Sequence, residues 1–309
     1  MQRDIKVGDI RKALSILSQN DLGKKILSDC QNVNFDVSEI AIMPSDGRRG
    51  ARCFRQIDGK KIKDFVSVNE TLLQNEVFDS ISADDEKWQM LANLLAHELT
   101  HASQYGRNPT LIPVENSFTQ NMIDKKRDII HEAIMESLIE ADCRAVQFML
   151  AISSQSPAVL KTLEKQHIPS NGIPIIDKKN YMIWKLRHKS DNKIDDSKRQ
   201  NAFREIFRNI LTSYVDVYEK HIFPKNGIAQ KIDFNGHEKL LASIYDEQKY
   251  GSPRQFADVI PDLRDENKTV LVGTILSQTQ KLLPQHTIQV SSLKENIPVT
   301  NIRISRVLE

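Results

Sequence analysis

A mainly helical α+β protein is what three features of this 309-residue chain predict. Long segments carry apolar residues at helical spacing, and the block 33–72 breaks instead into short apolar runs. The last ~45 residues lose helical periodicity altogether. Residues 4–28 read as one helix, with Ile10, Leu14, Ile16, Leu17 and Leu22 near helical spacing. In the next block, the apolar runs 40–43, 51–54 and 65–68 are separated by Ser45-Asp46-Gly47 and by Asp58-Gly59. Asp-Gly between short apolar runs signals a hairpin, so a small, largely antiparallel sheet is expected.

A helix over 83–105 follows. Ser82 is its candidate N-cap, Asp84, Asp85 and Glu86 suit the positive end of the dipole, and Gly106 is the candidate stop. Apolar residues take nearly every face between Trp88 and Leu99, which predicts a buried helix. A loop with Pro109 and Pro113 leads to a long helix over 124–153, whose stripe is Ile130, Ile134, Leu138, Ala141, Ala145 and Phe148. Further helices are expected at 157–166, 180–188, 196–222 and 237–249. The expected domain organisation is a helix in 1–32, a site-bearing domain in 33–155, a helical part in 156–262 and an extended tail, strand-like or loosely held, in 263–309.

Composition excludes several classes. The chain has 43 Lys+Arg against 41 Asp+Glu, a formal net charge of +2. A protein built to neutralise phosphates carries a large basic excess, so nucleic acid is not the expected partner. The pairs Arg48-Arg49 and Lys60-Lys61 and the run Lys125-Lys126-Arg127 read as solvated surface. No window approaches the ~20 apolar residues that span a bilayer, and the first residues lack the apolar core of a leader. A soluble cytoplasmic protein is expected, and export without a cleavable leader is compatible with the same sequence. Three cysteines, Cys30, Cys53 and Cys143, are too few and too scattered for a disulfide framework.

One motif carries chemistry. His97-Glu98-Leu99-Thr100-His101 lies in the middle of the predicted buried helix. Residues four apart share a helix face, so both imidazoles can reach one metal ion. Glu98 stands beside that face, where its carboxylate can take a proton from water activated at the metal. Zinc suits two neutral imidazoles and a carboxylate. The plainer alternative is two core histidines satisfied by backbone acceptors, and the cost of burying three ionisable groups without a partner argues against it. The third ligand is expected from the next helix, where Glu136 and Glu140 follow His101 by 35 and 39 residues. Glu140 is the first choice and Glu136 the second. The glutamate left over could pair with Arg144 in an i, i+4 ladder or orient a ligand histidine. Asp142 lies about 160° around the helix from Glu140, too far to share an ion with it.

The run Ala96-His97-Glu98-Leu99-Thr100-His101-Ala102-Ser103-Gln104, with Glu140-Ala141-Asp142 downstream, resembles the zincin metallopeptidases. It looks most like the bacterial "putative metallopeptidase" domains, and the resemblance covers roughly residues 35–150. It implies zinc as cofactor, ligands His97, His101 and Glu140, Glu98 as catalytic base, and a peptide or protein as substrate. It also implies a short sheet against the motif helix, with an edge strand able to hold an extended peptide. Two features depart from the thermolysin-like pattern: the gap to the glutamate is longer, and Arg144 stands where those enzymes have an aspartate. A peptidase also needs a donor for the developing oxyanion. Tyr214, Tyr218 and His221 are candidates at i, i+4 and i+7, although the same spacing suits an ordinary amphipathic face. Gln104 and Tyr105 could instead support the ligands from just past His101, and His131 is expected to be a surface or half-buried histidine and not a ligand. The alternative from a different class is a zincin-like binding or regulatory module with structural zinc or lost catalysis.

Overall fold

The structure, a computed structural model, describes residues 4–44, 50–58, 61–74, 78, 81, 84–108, 111, 129–167, 174–176, 181–182, 184, 196–260 and 272–278. Helix dominates, with one three-stranded sheet among the described residues, as an α+β sequence pattern predicts. No described helix is long and apolar enough to cross a membrane. The chain divides into two compact units, the first drawn from 1–123 and 150–159, the second from 124–149 and 160–283.

In the first unit the expected single N-terminal helix is two, α1 (Val7–Gln19) and α2 (Asp21–Asn32). Asn20 breaks them. Its backbone is extended, and its side-chain oxygen accepts from the amides of Leu22 and Gly23, so it caps the second helix. The turn is tight: a Cβ on Gly23 would stand 2.1 Å from the Leu17 carbonyl oxygen. Strands β1 (Ala41–Met43), β2 (Ala51–Asp58) and β3 (Lys61–Asn69) form a sheet in the order β1-β3-β2. Strands β2 and β3 pair antiparallel, Asp58 opposite Lys61, as the Asp-Gly signal predicts. Strand β1, however, runs parallel to β3. The hairpin claims one edge of β3, and β1 fills the other.

Helix α3 (Asp84–Arg107) carries the motif. Helices α1 and α2 and the sheet pack on it, and Cys53, Val66 and Val68 supply the sheet's buried face. Helix α3 runs past Gly106, so that glycine is not a stop. A Cβ there would lie 2.4 Å from Val33 Cβ, and the glycine instead lets the end of α2 approach. The Ser82 cap and the loop with Pro109 and Pro113 lie outside the described residues.

In the second unit α4 (Ile129–Ser153, to residue 149) is followed by α5 (Pro157–Leu163, from residue 160) and α6 (Asp196–Val217). The start expected for α4 at 124 lies outside the described residues. Helix α6 widens into a π-helical turn, Tyr218–Ile222, closed by the Phe223 amide donating to the Tyr218 carbonyl. Pro224 gives a physical reason: it has no amide to donate and would crowd the carbonyl four residues back in a regular helix. The helix expected over 237–249 is split into α7 (Glu238–Ile244) and α8 (Glu247–Tyr250), with Asp246 capping the second through the amides of Gln248 and Lys249. Helix α9 (Pro253–Ala257) completes an aromatic core of Phe203, Phe207, Tyr250 and Phe256. Of the helix expected at 180–188, Tyr181, Met182 and Trp184 are described and helical, and the Trp184 indole donates to the Ala202 carbonyl at 3.2 Å. Residues 272–278 are helical, not strand-like, with Val272 and Leu276 on the buried face. The rest of the expected tail lies outside the described residues.

Candidate metal centre

Helix α3 is enclosed because its apolar residues face in almost every direction, and the motif is enclosed with it. His97, Glu98 and His101 are only 4%, 7% and 5% exposed. The two imidazoles meet as their i, i+4 spacing dictates, Nε2 to Nε2 at 3.1 Å with the rings edge to face. His101 Nδ1 lies 3.2 Å from the Gln104 side-chain oxygen. That oxygen can only accept, so it holds the ring proton on Nδ1 and turns the Nε2 lone pair toward His97. Tyr105 stacks on the other side of His101, centroids 5.6 Å apart. Gln104 and Tyr105 therefore both contact His101.

Two nitrogens bound to one tetrahedral zinc at 2.0–2.1 Å stand about 3.3 Å apart. The observed separation is close to that value, and His97 and His101 are among the buried donors that could hold a metal ion. The pair thus fits a shared cation without large movement.

Sequence reasoning did not place the thiols of this unit. Cys30 Sγ donates to the Leu99 carbonyl at 3.3 Å, which ties α2 to the motif turn. Burial pushes the Cys30 thiol well up, with the Asp29 charge adding to the shift and Arg107 opposing it. Burial does the same to Cys53 on β2, His101 opposing and Glu98 adding. A raised pKa means less thiolate, the reactive form, at any pH below it. Iodoacetamide at pH 8 is expected to leave both residues unmodified in the folded chain and to modify both in guanidinium, as read by peptide mass mapping. Rapid modification of Cys53 in the folded chain would mean that β2 does not pack on α3 as described.

The glutamate helix shows its own constellation within the second unit. Of the expected i, i+4 ladder Glu136, Glu140 and Arg144, the Arg144–Glu140 step is an ion pair, with Arg144 Nε 3.6 Å from Glu140 Oε2. Arg144 Nη1 also donates to Gln147 at 3.0 Å and Gln166 at 2.9 Å. The candidate oxyanion donors on α6 meet these same carboxylates. Tyr214 donates to Glu140 Oε2 at 3.5 Å, and Tyr218 donates to Glu136 Oε2. Burial first, and then the neighbouring glutamate charge, pushes both phenols far up, so each stays a neutral donor. His221 does not join them; it is exposed in the π-helical turn. His131 is exposed too, and stacks on His237 at 5.8 Å.

Asp142 is turned away from Glu140 as the helix geometry requires, into a buried group that the sequence did not reveal. Lys249 Nζ lies 3.1 and 3.2 Å from its two oxygens, and the Tyr250 hydroxyl donates to Oδ1. Comparison with family models, with curated proteins and with solved structures finds no match to this chain.

Proposed function

We propose that this protein is a zinc-dependent hydrolase, a metallopeptidase of zincin type. The observation that carries the reading is the facing Nε2 pair of His97 and His101 in a buried helix, with Glu98 beside it. Zinc held there supplies Lewis acidity, polarising a peptide carbonyl and making water easier to deprotonate. His97 and His101 hold the metal, Gln104 fixes the orientation of His101, and Glu98 takes the proton from the attacking water. The resemblance of the motif segment supports peptide bonds as the target.

The third ligand is proposed as Glu140, with Glu136 as the alternative. Cys143 lies three residues beyond Glu140, on the same side of α4, and is buried and not in a disulfide. A thiolate ligand would announce itself in the cobalt-substituted protein by a sulfur-to-metal charge-transfer band. A carboxylate ligand would not.

The test is metal content by elemental analysis on the purified chain and on His101→Ala. About one zinc per chain is expected in the first and little in the second, because an incomplete site binds poorly. Peptide hydrolysis that stops with a chelator and returns with zinc completes the test. No bound metal in the parent chain, after zinc is supplied at neutral pH, would reduce the motif to a core histidine pair.

A further inference from the structure

Asp142, Lys249 and Tyr250 lie within the second unit and form a group that the proposed hydrolysis does not use. Asp142 projects from the middle of α4, and Lys249 and Tyr250 are the last two residues of α8. They are only 1%, 4% and 0% exposed. Around them stand Phe203, Phe207 and Phe256, whose rings meet Tyr250 at 5.8, 5.2 and 4.9 Å between centroids. An amine and a carboxyl are therefore enclosed together in an aromatic core.

The backbone that carries Lys249 and Tyr250 is held firmly. Asp246 accepts from the Lys249 amide at 3.2 Å, Arg204 Nη1 donates to the Tyr250 carbonyl at 2.7 Å, and the Tyr245 hydroxyl donates to the Gly251 carbonyl at 2.6 Å. Lys249 Nζ lies 3.1 and 3.2 Å from the two Asp142 oxygens. A point so nearly equidistant from both oxygens of a planar carboxylate stands within roughly 3.5 Å of the carbon between them, the separation of reactants poised to combine. Tyr250 donates to Oδ1, and burial followed by the Asp142 charge keeps its phenol protonated. A neutral donor already seated on the carboxyl oxygen is what an oxyanion developing at that atom requires.

We propose that Lys249 and Asp142 form an intramolecular isopeptide bond, with the Tyr250 hydroxyl as the catalytic donor. A proton first passes from the Lys249 ammonium to Asp142 Oδ2, so that a neutral amine faces a neutral carboxylic acid. Out of water, an ion pair lacks the solvation that favours it over that neutral pair. The Nζ lone pair then bonds to Cγ while Tyr250 stabilises the charge gathering on Oδ1. The Cγ–Oδ2 bond breaks, and Oδ2 leaves as water with the transferred proton and a second proton from Nζ. One amine and one acid give one amide and one water, with no oxidant and no metal involved. The dry surroundings keep water from reversing the step. The ion pair is the starting state, and the crosslink accumulates from it, tying together positions 107 residues apart.

The experiment is the intact mass of the full chain, as purified and through days of incubation at neutral pH, with tandem mass spectrometry of its tryptic digest. A mass lighter by one water is expected, together with a branched peptide joining Lys249 to Asp142. Lys249→Arg keeps the positive charge but not the nucleophilic amine, and should retain its full sequence mass. Tyr250→Phe keeps both ends and the ring, and should slow the crosslink by about 10²–10³-fold, the usual effect of removing one oxyanion donor. A parent chain that keeps its full mass overturns the proposal. So does a water loss that maps to a succinimide at Asp46-Gly47 or Asp58-Gly59 without the branched peptide. Crosslinking at the parent's rate in Tyr250→Phe overturns the role given to the hydroxyl.

Discussion

Glu98→Gln is expected to keep about one zinc per chain and to lose roughly 10²–10⁴-fold in turnover, the range supplied by a positioned general base. The substitution preserves size and shape, so the helix packing around a residue 7% exposed is left nearly intact. What changes is that a carboxamide cannot accept the proton. The loss should fall on kcat with KM little altered, because Glu98 is proposed to act on the reacting water and not on the resting substrate. Metal content measured on the same preparation separates this outcome from a folding defect. Turnover equal to the parent's would remove Glu98 as the base. A chain that binds zinc at His97 and His101 yet hydrolyses no peptide would favour the binding-module reading.

The parts of this picture that were legible in the sequence are the local ones. A 3.6-residue period makes His97 and His101 neighbours whatever surrounds them, and the apolar residues on every side of them announce a buried helix. The hairpin was legible from Asp58-Gly59 because turn chemistry is also local. Tertiary partners were not. Tyr214 and Tyr218 stand out as a periodic pair, and so do Glu136 and Glu140, but no rule of spacing says that one pair meets the other. From the sequence the tyrosines are candidate oxyanion donors or members of an ordinary amphipathic face, and their contacts with Glu140 and Glu136 are legible only in the fold.

Gly106 illustrates the same limit in reverse. A glycine near a helix end is commonly a stop, yet here the need is steric, set by Val33 on another helix. The break at Asn20 was available in the sequence, since Asn before Asp, Leu and Gly is a capping pattern, but the run of apolar residues on both sides masked it. Lys249 gave no signal at all. A lysine in a four-residue helix reads as solvated surface, and only the fold brings it to Asp142.

That buried pair carries the largest expected effect on stability. Asp142 and Lys249 are 1% and 4% exposed, and the ammonium reaches both carboxylate oxygens. Tyr250 adds a hydroxyl to the same carboxylate, and burial with the Asp142 charge keeps that phenol protonated. Lys249→Ala is expected to cost about 3–5 kcal/mol, because it leaves a desolvated carboxylate without its counter-charge. Urea unfolding reads this as a lower midpoint at similar slope. Replacing the whole group by apolar residues of similar size, Asp142→Leu with Lys249→Met and Tyr250→Phe, is expected to recover most of that loss, since no buried charge then remains. Recovery would show that the cost lies in the orphaned charge and not in lost packing. A Lys249→Ala cost below about 1 kcal/mol, the range of a surface ion pair, would instead mean that water reaches the group. Asp142 sits two residues beyond Glu140 on nearly the opposite side of α4, so the buried pair also fixes the rotation of that helix within its own unit.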